Sequence, residues 1–538
     1  MFTTRTLVYL ASVLLSVLLA GALWRFFFTY SDLDLLIVNG VVLEGSGRAP
    51  SRHSIGIRDG KIVAVGGWRL WLAKAKRRID AGGKIVAPGF IDVHTHVEAS
   101  LPAKGAFRPA NFLRQGVTTL ITGNCGRSRT DVAALLDSLE RNGSYLNLAT
   151  LIGHNSIRRE VMGIAARAPS PDELQQMKAM VERAMKAGAF GFSTGLAYVP
   201  GRFAQTGEVI ALTSVAAQHG GLYVSHIRDE AYGGVAALQE ALDIGRKAGA
   251  DIHISHFKSS GRGQWNTAPR RLELLDDARA AGLRVTLDVY PYDRSSTTTD
   301  ILLPDWALES QRAGLKQAAQ DATARQRLQV EIQARLQRDG WSDLTHVRFV
   351  AGRPEWIGKT LAQVPRPALD LDAQIENLIE VSQRGGAQVI YADMHEADVD
   401  KVVCDDHAVF GSDSAVRDPD SEAKPHPRGS GTFPRIFRRY VRERRLLSLS
   451  QAVRKASGQA AGIFGLEGRG YLKPGAWADV VIFDPATIKD EADYDEPLAP
   501  PAGIEYVIVN GTLVLEHGAL TNERPSGKAL RKPALCGR

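Results

Sequence analysis

Six residues could do chemistry together: His94, His96, Cys125, His226, His256 and Asp413 each close a short apolar run. His94 and His96 end Phe90-Ile-Asp-Val-His-Thr-His96. Residues two apart on a strand face the same way, so both imidazoles would converge on one point. His226 ends Gly221-Leu-Tyr-Val-Ser-His226 and His256 ends Asp251-Ile-His-Ile-Ser-His256, a matched signature one strand–helix unit apart. Either histidine alone reads as a satisfied core residue; the matched pair reads as ligands. His253 is out of phase with His256 and is expected to point the other way. Cys125 lies between glycines in Thr122-Gly-Asn-Cys-Gly126. That junction suits a thiolate ligand better than a small buried hydrophobe. Thiolate and imidazoles together are a donor set for zinc. Asp413 ends His407-Ala-Val-Phe-Gly-Ser-Asp413. Facing the imidazoles, it could take a proton from zinc-activated water and hand it to a departing amine nitrogen, as amide hydrolysis requires. Its plainer reading is a cap on the next helix.

Such a set needs a scaffold that gathers strand ends. Strand-like runs ending near His96, Cys125, His154, Leu196, His226, His256, Tyr290 and Asp413 alternate with helical stretches, of which Pro171 to Met185 is the plainest. The alternation predicts an α/β fold: a (β/α)8 TIM-like barrel over 89–465, with the polar strand ends at one mouth. The long interval before the last strand predicts added helices or a lid. Both chain ends carry β-branched runs broken by Asn39-Gly40, Asp59-Gly60 and Asn510-Gly511, which are strong hairpin signals. They predict one small β-sandwich domain assembled from 33–88 and 466–532.

Residues 1–30 form a third unit. No charge interrupts the chain between Arg5 and Arg25, a run at the boundary between a signal-peptide core and a spanning helix. Ala20-Gly21-Ala22 favours cleavage; Trp24, Phe26, Phe27, Phe28 and Tyr30 favour retention as an interfacial belt. The expectation is a hydrophobic N-terminal helix acting as signal peptide or anchor. The protein would then be exported or held at the inner membrane, the cytoplasmic face remaining open, and would touch membrane through this segment if it is not cleaved. With 44% hydrophobic and 23% charged residues, the remainder is neither a polytopic membrane protein nor a disordered chain. The net charge of +7 gathers in Lys74–Arg78 and Arg435–Arg445, but no aromatic residues interleave with bases in a nucleic-acid-binding pattern, so nucleic acid is not an expected partner. Three cysteines, Cys125, Cys404 and Cys536, make no disulfide framework. Nothing in the chain specifies an oligomeric state.

In their order these pieces resemble the amidohydrolase superfamily, and within it the D-aminoacylase / N-acyl-D-amino-acid deacylase family. The resemblance is carried by Gly89-Phe-Ile-Asp-Val-His-Thr-His96, Gly123-Asn-Cys-Gly126, Gly153-His-Asn-Ser-Ile-Arg158 and Gly191-Phe-Ser-Thr-Gly-Leu-Ala-Tyr198. It continues through Ser225-His-Ile-Arg-Asp-Glu230, Ser255-His-Phe-Lys258, Asp288-Val-Tyr-Pro-Tyr292, Ser412-Asp413, His426-Pro-Arg428 and Gly431-Thr-Phe-Pro-Arg435. It implies zinc-dependent hydrolysis of N-acyl-D-amino acids, small-molecule substrates that yield a carboxylate and a free D-amino acid. It further implies one tight zinc on Cys125, His226 and His256, and a weaker second position at His94, His96 and Asp413. The substrate carboxylate would be gripped by Lys258, Tyr198, Arg428 and Tyr290 or Tyr292. The carbamylated lysine of many relatives is missing from Ser193-Thr-Gly-Leu196, as the resemblance implies. Ser414 and Arg127 depart from the family pattern and would retune acyl choice. Two other functions stay open: hydrolysis of a cyclic amide or a D-residue dipeptide by the same apparatus, and a catalytically silent, anchored binding protein.

Overall fold

The computed structural model describes residues 9, 12–18 and 32–533. The expected leader over 1–30 falls largely outside these residues. Of it, Tyr9 and residues 12–18 are helical and exposed. Among the described residues no helix is long and apolar enough to cross a membrane.

The architecture is α/β, with parallel strands carrying the site. One sheet pairs Phe90–Asp92, Val117–Thr122 and Asn147–Thr150; another runs through Ile152–Gly153, Gly191–Gly195, Leu222–His226, Ile252–Ile254, Val285–Val289 and Ala408–Phe410. Backbone bonds join the two sheets at both edges. Leu151 N donates to Thr122 O and Phe190 N to Thr150 O, while Val93 N donates to Phe410 O, so the last strand lies against the first. These strands are buried almost throughout, as parallel strands covered by helices must be. The helix expected from Pro171 spans Pro171–Lys186. A Ser170/Glu173 capping box starts it, and Met177, Met180, Val181, Ala184 and Met185 face the core.

The strands stop earlier than the sequence pattern suggests. The first ends at Asp92 rather than at His96, the sixth-run strand at Ile254 rather than His256, and the last at Phe410 rather than Asp413. For the last two the reason is local: His256 and Asp413 take positive φ values of 33° and 49°, a conformation that no strand accommodates, and Cys125 does the same at 52° past the strand Val117–Thr122. No helix follows Asp413 directly, so the capping reading has nothing to cap.

The segment between Val289 and Ala408 holds the helices expected there: Asp305–Ala318, Ala322–Arg338, Leu371–Gln383 and Glu396–Cys404. It also holds an antiparallel sheet of Ser295–Thr298, Gln388–Tyr391 and Val347–Phe349, and a separate apolar cluster around Leu328, Ile332, Phe349 and Ile375.

Strands from both chain ends meet. Ile85–Pro88 pairs antiparallel with Val480–Phe483, and Leu35, Ile57, Val86, Val480 and Ile508 share one apolar cluster. Asp59-Gly60 and Asn510-Gly511 turn hairpins with positive φ at both positions, the requirement of a tight two-residue loop. Asn39-Gly40 does not turn a hairpin: it carries the chain from Leu33–Val38 in one sheet to Val41–Val42 in another. A Cβ on Gly40 would lie 2.4 Å from Val86 Cγ2, so the glycine serves a close crossing.

Candidate active site and metal centre

Five strand ends deliver the six chemically loaded residues to one place, His94 and His96 following the same strand. Donor atoms of His94, His96, Cys125 and Asp413 lie within 4.8 Å of one another, and so do those of Cys125, His226 and His256. Cys125 belongs to both groups. Its Sγ is 3.3 Å from His94 Nε2 and 3.5 Å from His256 Nε2. The His226 and His256 rings are edge to face with centroids 4.3 Å apart. Asp413 Oδ1 closes the set, 2.9 Å from His96 Nε2 and 3.6 Å from His94 Nε2.

The loop that presents Cys125 tolerates little change. A Cβ on Gly123 would meet Leu151 O at 2.3 Å, and one on Gly126 would meet Asn155 Oδ1 at 2.1 Å; both glycines also have positive φ. Three non-glycine residues with left-handed backbone at one site store conformational strain, which surrounding contacts must hold in place.

Two carboxylates not singled out from sequence, the buried Asp288 and the half-buried Glu230, do much of that holding. Asp288 Oδ2 faces His94 Nδ1 at 3.2 Å and His253 Nε2 at 3.1 Å, while its Oδ1 accepts from the His256 backbone N–H at 2.9 Å. Glu230 Oε1 lies 2.9 Å from His256 Nδ1 and 2.6 Å from Lys258 Nζ. A carboxylate against Nδ1 accepts the ring N–H there and leaves the Nε2 lone pair facing Cys125. Asp288 sits inside the strand Val285–Val289 and Glu230 lies four residues past His226, positions that along the chain alone do not declare a role. His253 belongs to neither group of converging donors; its ring meets Asp288 and Phe464 instead.

Charge follows the geometry. Burial pushes the Cys125 thiol up, but the imidazoles of His94, His256 and His226 outweigh it and hold the thiol well below its ordinary range. Burial likewise opposes ionisation of Asp413, and Arg428 with His94 overcomes it, keeping the carboxyl well below the usual carboxylate range. Glu230 and Asp288 are also held low against burial, by Lys258 and by His94 respectively. Asp92, beneath the site, goes the other way. Burial raises it to about 7, although Oδ1 accepts from Ser412 N and His94 N.

A cavity of about 480 Å³ opens over this set, lined by His226, His256, Asp413, Lys258, Tyr198 and Tyr290 together with residues of the inserted segment. Tyr198 packs against His226 with ring centroids 4.7 Å apart, and its hydroxyl accepts from Thr297 Oγ1. The Tyr290 hydroxyl is buried without a partner, and Lys258 Nζ sits 5.7 Å from its ring centre. Arg428 Nη2 is paired with Asp413 Oδ2 at 2.9 Å; its Nε and Nη1 are buried and unpartnered. Tyr292 is elsewhere. It is absent from the cavity lining, and its ring packs on His426, Tyr494 and the Arg435 guanidinium. The Tyr292 N–H bonds the Tyr290 carbonyl two residues back, a tight turn that sends the two phenols to different places.

The donors suit a borderline-soft cation. Both nitrogens of the buried His226 ring lack a hydrogen-bond partner, and its nearest carboxylate oxygen is 3.8 Å away. A buried imidazole in that state costs about 1–3 kcal/mol unless something binds it. A thiolate between three imidazoles is the soft, anionic partner zinc prefers.

Comparison with known proteins agrees in kind. Residues 77–515 match the pattern of the amidohydrolase family. The chain is 37% identical over 525 residues to an N-acyl-D-glutamate deacylase of Alcaligenes xylosoxydans xylosoxydans, covering 93% of this chain and 97% of that one. It is 35% identical to a D-aminoacylase of the same organism, covering 93% and 98%. Among solved structures, the N-acyl-D-glutamate deacylase of Bordetella bronchiseptica, complexed with zinc and a phosphonate mimic of the tetrahedral intermediate, superposes with a TM-score of 0.77 at 35% identity. That match covers 93% of this chain and all of the other.

Proposed function

Since this chain belongs to the amidohydrolase family, we propose that it hydrolyses the amide bond of N-acyl-D-amino acids, releasing a carboxylate and a free D-amino acid. One observation carries the reading: a thiolate and imidazoles from separate strands converge under Asp413, at the floor of a cavity that also presents Lys258 and Tyr290.

Cys125, His226 and His256 would hold one zinc tightly, and His94, His96 and Asp413 frame a second, weaker position. Zinc held there supplies Lewis-acid activation of water and of the scissile carbonyl. Asp413 takes the proton of the attacking water and delivers it to the departing nitrogen, because an amine anion does not leave. His96 and Arg428 fix its two oxygens for both transfers. Lys258 and the Tyr290 hydroxyl receive the substrate carboxylate, while Arg428, outside the cavity lining, is held on Asp413. Tyr198 walls the cavity beside His226. In the same reading the joined parallel sheets are a (β/α)8 barrel over 89–465, and the strands of 33–88 and 466–532 are a composite β-sandwich. A leader over 1–30 would put this body on the exported side or at the inner membrane, the cytoplasmic face staying open.

The test is a comparison of an N-acetyl-D-amino acid, its L-enantiomer and its methyl ester. The D-acid should be turned over far faster than either. Equal rates on acid and ester would remove the carboxylate clamp, and equal rates on D and L would remove the stereochemical assignment.

A further inference from the structure

Most large apolar side chains left exposed beyond residue 32 are scattered, but three fall within one five-residue stretch: Trp68 is 70% exposed, Trp71 42% and Leu72 60%. They surround the short helix Trp68–Trp71, of which only Leu70 goes inward, packing with Leu33, Leu36, Val38 and Ala64. Packing accounts for Leu70 and leaves two tryptophans and a leucine facing solvent, where transfer to an apolar phase is favourable.

Basic residues ring the patch. The Arg69 guanidinium lies over Trp68, 5.4 Å from its ring centre, and Arg78 lies over Trp71 at 4.7 Å. Lys74 and Lys76 follow on the way into the edge strand Ala75–Asp80, whose residues 76–78 are all exposed. Lys76 is paired with Asp34 and Arg77 with Glu516, while Arg69 and Lys74 form no ion pair among the described residues. Tryptophan with flanking Lys and Arg is the composition that settles at a headgroup boundary.

The apolar N-terminal run is joined to the body through a strand that pairs next to this patch. Leu33 pairs with Ala75, three residues past Leu72. Between the end of that run at Trp24 and Leu33 there are nine Cα steps in the sequence, which reach at most ~32 Å when fully extended. Trp24 therefore lies within that distance of Leu33, the residue paired with Ala75 beside the patch.

We propose that Trp68, Trp71 and Leu72, ringed by Arg69, Lys74, Lys76 and Arg78, form a membrane-docking surface that seats the folded body on a bilayer carrying anionic headgroups. The apolar run sets the distance, and this patch sets the orientation. The docking is electrostatically assisted, each cation near an anionic surface adding about a fivefold preference.

The full-length chain reconstituted into vesicles of phosphatidylcholine and phosphatidylglycerol, with acyl chains brominated near the glycerol, tests this directly. Subtracting the emission of a Trp68→Phe variant isolates Trp68. Its emission should be quenched by the brominated lipid, and Arg69→Gln with Lys74→Gln should cut the docked fraction while turnover of an N-acyl-D-amino acid stays unchanged. An unquenched Trp68 overturns the proposal. So does equal quenching in vesicles of phosphatidylcholine alone. Shielding of Trp68 from aqueous acrylamide with neither lipid nor detergent present also overturns it, because the leader or a second copy would then be the occupant.

Discussion

Replacing Asp288 by Asn isolates the buried bonds that set the His94 ring. Asp288 is fully buried and meets three donors: His94 Nδ1 at 3.2 Å, His253 Nε2 at 3.1 Å and the His256 backbone N–H at 2.9 Å. Asparagine keeps the shape and offers one oxygen. With that oxygen on the His256 N–H, the amide NH2 faces two ring nitrogens that must both become acceptors; the opposite rotamer sets two N–H groups against each other at His256. His253 can adapt, because its other nitrogen meets the Thr286 hydroxyl, which accepts as readily as it donates. His94 has no such relief. Moving its proton to Nε2 aims an N–H at Cys125 Sγ, 3.3 Å away, and withdraws the lone pair from the converging donors. Losing the partner that orients a ligand costs about 10- to 100-fold in metal affinity or activity, or about 1.4–2.7 kcal/mol. One charge-assisted hydrogen bond is worth about as much, ~1.5–3 kcal/mol. The assay is kcat/KM on an N-acetyl-D-amino acid, with zinc content and thermal melting measured on the same preparation. Zinc on Cys125, His226 and His256 should stay, and kcat/KM should fall 10- to 100-fold. A folded variant with kcat/KM within about twofold of the parent, far short of that loss, would refute the tautomer argument.

Two further outcomes follow from the same geometry. Asp413→Asn keeps the shape that meets His96 and Arg428 but takes no proton, so zinc should remain while kcat drops by about 10²–10⁴-fold. Loss of zinc from that variant would make Asp413 a structural ligand instead. On the part of the cavity wall supplied by the inserted segment, burial holds His346 at about 4 rather than 6.5. The unfolded chain thus binds a proton that the folded one refuses, so this contribution to stability is whole above pH 6.5 and drains as pH falls through 4. His346→Phe keeps the ring stacked on Trp341, 3.7 Å away. It should shrink the acid loss in urea melts by about 1–2 kcal/mol, discounted for partial exposure, and change little at neutral pH. An unchanged loss between neutral and acid pH would show that His346 titrates freely in the folded chain.

Much of the site was legible because strand phase and chain order are local properties. The matched Ser-His ends at His226 and His256, and a cysteine between glycines, declare themselves without tertiary information. The supporting carboxylates did not. Asp288 and Glu230 become informative only when His94 and His256 arrive from other strands, because an acid's role depends on which donors surround it. Which of the two tyrosines meets the cavity was hidden for a related reason. Tyr290 and Tyr292 share strand phase on paper, but the strand ends at Val289 and a tight turn separates them.

By itself the sequence determined which residue types stand at strand ends, in what order, and that a soft-metal donor set was present. Hydrophobic period and turn chemistry act over a few residues and are written along the chain. The tertiary structure decided that Cys125 is shared by two groups of donors, that Arg428 is committed to Asp413, and that Asn39-Gly40 crosses between sheets. These outcomes depend on ångström-scale approach between segments up to several hundred residues apart. Short-range forces create such contacts only after the chain has closed on itself.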